Sequence, residues 1–158
     1  MAYTDYEFYI EKYYGDTVPE SEFEKYADRA SDRIDMITFD RLMNGLPEDK
    51  RANTKVQKAV CAVAETLYRI EQIKKASMET MGTVVQEDGT VTGKVVSSVS
   101  SGAESISYAT GTSSYEIDEY AKVASGELNE LTFLKSKALP YLMGVTDNKG
   151  VCLLYAGL

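Results

Sequence analysis

The chain has 158 residues, of which 44% are apolar and 27% charged, with a formal net charge of −8. This size and composition are typical of one globular domain that buries a core without disulfides or metal. The chain contains no histidine, which excludes histidine-based catalytic triads and histidine metal ligands. Because the longest apolar runs reach six residues and no basic leader precedes them, we expect neither a signal peptide nor a membrane span.

The charge is unevenly distributed along the chain. Residues 1–50 carry a net charge of −7, residues 51–81 carry +3, and residues 82–158 carry −4. Phosphate binding needs a concentrated basic patch, so this balance disfavours independent binding of nucleic acid. The charges are interpreted either as solvated helix faces that pair within the chain or as a field that steers a partner.

Apolar residues recur at helical spacing in several stretches and predict a helical protein. Thr4 and Glu7 have capping-box spacing at the first helix, while Asn53 or Thr54 is the predicted cap of the third. Pro140 is predicted to end the last helix. The predicted helices cover residues about 4–14, 19–42, 53–81, 114–124 and 127–139, the fourth capped by Ser113 or Ser114.

The third predicted helix carries a coiled-coil-like seam about two heptads long. Small residues widen this seam, which indicates a central helix that its neighbours approach closely. Cys61 lies among these small residues, so we interpret it as a buried reduced thiol rather than a reactive one. The seam consists of Val56, Val60, Val63, Leu67 and Ile70, and the small residues are Ala59, Cys61, Ala62 and Ala64.

Residues 82–113 differ in character from the helices. Seventeen of these thirty-two residues are Gly, Ser or Thr, yet valines and the alternating stretch 105–108 favour β structure. Asp88 and Gly89 have the pattern of a tight turn. The sequence predicts a projecting β-hairpin-like segment, with two alternatives left open: disorder in the isolated chain, or completion of its edge by another subunit.

The C-terminal residues 144–158 form a predicted extended tail. A polar turn at residues 147–150 precedes the apolar run 151–155. Such a run either packs on its own domain or is held by a neighbour in an assembly. The predicted fold is therefore mainly α: a single small helical bundle of four to five helices, a projecting β-hairpin-like segment and a C-terminal tail.

The sequence offers no constellation typical of catalysis. Its glycines lack the spacing of phosphate-binding loops, and the two cysteines stand apart without histidine to complete a zinc site. Asp28, Asp32 and Asp35 share a predicted helix face and are either ligands for a hard cation or a solvated acidic face. We therefore expect no enzyme, no cofactor and no metal.

Tyrosine is abundant, with twelve copies, six of them in the first twenty-six residues. A tyrosine combines a large apolar ring with a polar tip, so it suits packing surfaces that stay partly wet, including subunit contacts. Stacking of nucleic-acid bases on these rings is the alternative, and the acidic surroundings disfavour it.

Several short motifs, taken in order, resemble the head–tail connector (adaptor) proteins of tailed bacteriophages and related prophages. The resemblance extends over nearly the whole chain. It rests on Tyr-Glu-Phe-Tyr at 6–9, Val-Pro-Glu-Ser-Glu-Phe at 18–23, Ala-Ser-Asp-Arg-Ile-Asp at 30–35, Thr-Phe at 38–39, Val-Gln-Lys-Ala-Val-Cys-Ala-Val-Ala-Glu at 56–65, Ser-Ile-Ser-Tyr at 105–108 and Leu-Leu-Tyr-Ala-Gly at 153–157.

The resemblance implies a structural virion protein. Such proteins are small helical bundles with a projecting β element, and they form a ring, commonly a dodecamer, under the portal of the capsid. The ring extends the DNA channel, which DNA crosses without specific binding, and offers a platform to a stopper or tail-completion protein. The expected location is the head–tail interface of the virion, after assembly in the cytoplasm of the host bacterium, with no membrane partner.

Under this resemblance, residues 84–108 supply contacts to other subunits or to the portal, and residues 151–158 dock on the portal or a neighbour. A different helical module, for tail completion or regulation, acting as monomer or dimer, is the alternative. An enzyme using Asp28, Asp32 and Asp35 comes third. The predicted interface residues are Val91, Val95, Val96, Val99, Ile106, Tyr108, Leu153, Leu154 and Tyr155.

Overall fold

A computed structural model describes the backbone of residues 2–80, 83–85, 91–93, 99–101, 104–106 and 115–156, and the side chains of residues 2–76 and 119–156. The protein is mainly helical, as the sequence predicts. The described residues form five helices: α1 (Tyr6–Phe8), which continues as a π-helical turn (Tyr9–Tyr13), α2 (Glu20–Ile37), α3 (Lys50–Thr80), α4 (Tyr115–Ser125) and α5 (Glu130–Leu142).

The chain divides into two compact units, residues 1–69 with 129–158 and residues 70–128. The single connector domain stays a prediction. In the first unit α2, the first part of α3 and α5 form a small helical bundle. Its core contains the predicted seam of α3 from Val56 to Leu67, together with Tyr26 and Ile34 of α2 and Leu134 of α5.

The first helix begins one residue later than the capping-box pattern predicts. Asp5 is the N-cap, and its carboxylate accepts a hydrogen bond from the backbone N–H of Phe8 at 2.8 Å. Thr4 is buried instead, with its hydroxyl oxygen 3.8 Å from the sulfur of Cys61. The prediction of a Thr4 cap was wrong because the neighbouring carboxylate is the stronger acceptor for a helix N-terminus.

The third helix also begins earlier than predicted, at Lys50 rather than near residue 53. The carboxylate of Asp49 accepts a hydrogen bond from the backbone N–H of Ala52 at 2.8 Å, so it caps the helix. Asn53 and Thr54 lie within the first turns and are not caps. The hydroxyl of Thr54 donates to the carbonyl of Lys50 at 2.8 Å.

The second helix ends at Ile37, earlier than the predicted residue 42. The hydroxyl of Thr38 donates to the carbonyl of Ile34 at 2.9 Å, and Phe39 and Asp40 adopt left-handed φ angles of 55° and 57°. That backbone conformation stops an α-helix. The fifth helix, by contrast, runs past Pro140 to Leu142, because a proline in the last turn removes only one hydrogen bond of the helix.

The C-terminal tail folds back as a short hairpin. The predicted turn at 147–150 is present: the Asp147 carboxylate accepts from the backbone N–H of Lys149 and of Val151, both at 2.9 Å. Beyond it, the N–H of Leu153 donates to the carbonyl of Val145 at 2.9 Å. Leu153 is fully buried in the core of its own unit. Of the two alternatives for the apolar run, packing on its own domain therefore holds for Leu153.

The second unit contains four short strands and α4. β1 (Thr83–Val85) pairs antiparallel with β2 (Val91–Gly93), and β3 (Val99–Ser101) pairs antiparallel with β4 (Glu104–Ile106). The register places Val84 opposite Thr92 and Ser100 opposite Ser105. Projection of this segment from the bundle stays a prediction. The predictions for Val95, Val96, Tyr108 and the Ser113 or Ser114 cap concern residues outside the described part of the structure.

Candidate interaction surface

A buried polar cluster anchors the N-terminal segment to α3. The hydroxyl of Tyr9 donates to Glu65 Oε1 at 2.7 Å and accepts from the backbone N–H of Thr17 and of Val18, at 3.0 and 3.1 Å. The hydroxyl of Tyr13 lies 3.4 Å from Glu65 Oε2. Burial, reinforced by the Glu65 carboxylate, raises the pKa of both tyrosines, so both phenols stay protonated at neutral pH. These hydrogen bonds hold the N-terminal segment against α3.

Cys61 occupies the buried position that the sequence predicts. Its side chain has no exposed surface, and burial raises the pKa of its thiol to about 12. The thiol therefore stays protonated at neutral pH and is inaccessible to a substrate. Both cysteines, Cys61 and Cys152, are free thiols in the structure.

The three acidic residues considered as cation ligands do not form a ligand set. Asp35 accepts hydrogen bonds from the hydroxyl of Tyr3, 2.7 and 2.9 Å from its two carboxylate oxygens, while Asp28 and Asp32 are exposed. Among the described residues, no group of three or more cysteine, aspartate or glutamate side chains is arranged to hold a metal ion. In the structure, Asp35 ties the N-terminal segment to α2.

The last turn of α2 and the turn that follows it expose large apolar side chains. Met36, Phe39 and Met43 are 51%, 48% and 73% exposed. Phe39 and Asp40 are both left-handed, a conformation that costs a side-chain-bearing residue about 1–2 kcal/mol. Backbone hydrogen bonds hold the turn in this form, including Asp40 N–H to the carbonyl of Asp35 at 2.9 Å. Exposed apolar residues on a strained, fixed turn are typical of a contact surface.

Arg41 fastens the C-terminal tail to this turn. Its Nε and Nη2 donate to the carbonyl oxygen of Tyr155 at 3.1 and 2.8 Å, and its Nη1 lies 3.8 Å from Asp147 Oδ2. The guanidinium carbon lies 5.9 Å from the centre of the Tyr155 ring, which is 52% exposed. Nearby, the side chain of Asn148 accepts from the backbone N–H of Glu48 at 2.7 Å. We call Met36, Phe39, Met43 and Tyr155 the turn–tail surface.

Two of the interface residues predicted in the tail are accessible. Leu154 is half-buried and Tyr155 is exposed, whereas Leu153 is fully buried in its own chain and is not available to a partner in this fold. Val91, Val99 and Ile106 lie in the strands β2, β3 and β4, but their side chains are outside the described part of the structure.

Sequence reasoning missed the turn itself. Phe39 and Asp40 fall within the stretch predicted to be helix 19–42, whereas the helix ends at Ile37. The left-handed backbone at Phe39 has no signal in residue type, because phenylalanine rarely adopts it. Asp40 gives only a weak signal, since aspartate tolerates this conformation without requiring it. Arg41 had no predicted partner either, since Tyr155 is more than a hundred residues away in the chain.

We expect Arg41→Ala to loosen the tail. The substitution removes two hydrogen bonds from a charged donor, worth about 1.5 kcal/mol, and should speed hydrogen exchange about tenfold at the Leu153 and Tyr155 amides. Hydrogen exchange resolved by mass spectrometry measures this. Arg51→Ala, on the exposed start of α3, is the matched control. Equal exchange in both variants would show that Arg41 does not hold the tail.

Comparison of the chain with protein-family models, with curated proteins and with solved structures found no match in any of the three sets. The family resemblance of the motifs therefore stays a prediction. Among the described helices, none is long and apolar enough to cross a lipid bilayer.

Proposed function

We propose that this chain is a structural virion protein of a tailed phage, copies of which form a ring between the portal of the capsid and the tail or stopper. The ring extends the channel through which DNA passes. The order of the resembling motifs along the chain and the mainly helical bundle support this proposal. The observation that carries it is the turn–tail surface.

The turn–tail surface has the properties of a lasting contact with another protein. Its side chains are Met, Phe and Tyr, types that are enriched in the buried centres of interfaces. The backbone below them is held by hydrogen bonds and by Arg41, so little conformational freedom is lost on binding. We assign this surface to the contact with the portal or a neighbouring subunit, with Leu154 and Tyr155 as the contribution of the tail.

The paired strands supply a second class of contact in this proposal. Each described pair has two strands, so each strand has one edge without a partner strand among the described residues. A strand from another chain can add to such an edge through backbone hydrogen bonds. We assign Val91, Val95, Val96, Val99, Ile106 and Tyr108 to contacts of this kind.

The net charge of −8 agrees with a conduit for DNA. A negative wall does not retain phosphates, because binding to DNA depends on basic residues that replace its counterions. DNA would therefore cross the ring without specific binding. No cofactor or metal is needed for this role.

The test is cosedimentation of the purified chain with the portal ring of the phage genome that encodes it. We expect Phe39→Ser/Met43→Ser to reduce binding at least about tenfold, since it removes apolar area worth more than about 1.4 kcal/mol from the contact. Circular dichroism should show the fold intact, because both side chains are exposed.

The matched control is Ile10→Ser/Tyr14→Ser, which removes two exposed apolar side chains outside the turn. This variant should bind like the unmodified chain. Failure of the unmodified chain to cosediment would refute the portal contact. If both double variants lost portal binding to the same extent, the portal contact could not be assigned to the turn–tail surface.

A further inference from the structure

An acidic row runs along the exposed side of α2. Its four carboxylates follow one another at steps of four residues, so they lie on one face of the helix. All four are exposed. Like charges at this spacing destabilise a helix, and Lys25 and Arg29, each three residues before a carboxylate of the row, offset part of this repulsion. The row consists of Glu20, Glu24, Asp28 and Asp32, and the next position in the row is the exposed Met36.

A basic row occupies the first turns of α3. Lys50, Arg51, Lys55 and Lys58 are followed by no acidic residue before Glu65. Three of the bases follow at steps of four and three residues and therefore share one face. They lie near the helix N-terminus, where the helix dipole disfavours positive charge. Asp49 at the N-cap offsets part of this charge, and the first turn itself contains no acid.

The two rows differ from the other charges of α2. Arg33 pairs with Glu130 at 3.3 Å, and the ammonium of Lys25 lies 4.7 Å from the centre of the Tyr26 ring. By contrast, seven charged residues of the two rows make no ion pair with any residue that the structure describes. These are Glu20, Glu24, Asp32, Lys50, Arg51, Lys55 and Lys58. Three carboxylates of the acidic row and the four bases are thus displayed on two elements of one bundle without an ion pair to any described residue.

We infer that the basic row of α3 in one copy binds the acidic row of α2 in a second copy. At 1.5 Å per residue, the three bases of residues 51–58 span about 10 Å, which is shorter than the acidic row, where residues 20–32 span about 18 Å and residues 24–32 about 12 Å. The acidic row is therefore long enough to face all three bases. When each interface joins one basic row to one acidic row, the contact is head-to-tail, and such contacts generate closed rings or open helices. This inference rests on the proposed function, since it names the surfaces that join neighbouring copies in the ring.

A second copy is favoured over nucleic acid as the occupant. The basic row contains only four charges on a chain whose net charge is −8, so a long polyanion is repelled by most of the surface. A neighbouring copy, in contrast, presents carboxylates at the same helical spacing as the bases. Each copy carries one acidic row and one basic row, so the same contact can repeat from copy to copy. Only the end copies of an open chain have a row without a partner.

The experiment is sedimentation velocity of the chain at about 100 μM and 50 mM salt, where screening of exposed charges is weak. We expect the unmodified chain to self-associate. Arg51→Glu/Lys55→Glu/Lys58→Glu and Glu20→Lys/Glu24→Lys/Asp32→Lys should each associate at least about tenfold more weakly. An equimolar mixture of the two variants, or one chain carrying both sets, should recover association because every contact again joins opposite charges.

Three results would overturn the inference: a chain that stays monomeric under these conditions, association that neither charge reversal weakens, or a mixture that does not recover it. A fluorescent 30-nucleotide single strand is the probe for the other occupant. If the chain binds this strand, and if reversing the α3 row abolishes that binding but leaves self-association unchanged, the row is assigned to nucleic acid. If the mixture of variants recovers self-association but the unmodified chain does not bind the portal, this contact between copies holds and the proposed function is refuted.

Discussion

Gly15→Ala is expected to be among the most destabilising single changes in this protein. A Cβ at this position would overlap Cε2 and Cζ of the Tyr9 ring and lie 2.7 Å from its hydroxyl oxygen. The ring cannot move aside, because it is fully buried and its hydroxyl makes hydrogen bonds to Glu65, Thr17 and Val18. Overpacking of this kind costs about 1–3 kcal/mol, and we expect the free energy of unfolding to fall by about 3 kcal/mol.

Urea denaturation followed by circular dichroism measures this loss. Gly144→Ala is the matched control: Gly144 has a φ angle of 71°, but no atom lies within 4 Å of the added methyl group. It should lose only about 1 kcal/mol, from backbone strain alone. If both variants lost the same amount, the close contact between Gly15 and the Tyr9 ring would be refuted.

Leu153→Ala is expected to lower the free energy of unfolding by about 3 kcal/mol, within the range of 2–5 kcal/mol for buried leucines. Leu153 is fully buried against the core of its own unit, and its N–H donates to the carbonyl of Val145. Truncation leaves a cavity and weakens the attachment of the hairpin that carries Tyr155. The turn–tail surface depends on this attachment, so binding to the portal should fall as well.

Leu154→Ala serves as the control. Leu154 is only half-buried, so this substitution should lower the free energy of unfolding by about 1 kcal/mol. Both variants are measured by urea denaturation of the isolated chain. A Leu153→Ala variant as stable as the unmodified chain would mean that the tail is not packed on its own domain in solution. It would then favour the alternative, in which a neighbour holds the tail.

Periodicity predicted much of the helical bundle. The seam from Val56 to Leu67 was predicted correctly as buried, because steps of three and four residues define one helix face whatever the partner is. Cys61 was also placed correctly, since small apolar residues on both sides leave it no exposed side. The turn at 147–150 followed from its Asp, Asn and Gly residues, whose local hydrogen bonds specify a turn.

Helix ends and the candidate surface could not be predicted in the same way. Asp5 and Asp49 cap helices where Thr4 and Asn53 were the predicted caps, because a carboxylate is the stronger acceptor at a helix N-terminus and residue spacing alone does not fix a helix boundary. The turn–tail surface requires Arg41 to meet Tyr155, a contact between distant parts of the chain. A pattern within a short window carries no information about such a contact.

The native mass of the portal ring mixed with this chain, with each component alone as reference, decides whether the chain binds the portal as a ring. We expect one discrete species heavier than the portal by a whole multiple of 17.5 kDa, which is twelve copies if the ring is a dodecamer. Absence of any complex up to about 10 μM, where a contact of about −7 kcal/mol would be populated, would contradict it. The chain would then be better described as a helical module that acts as a monomer or dimer.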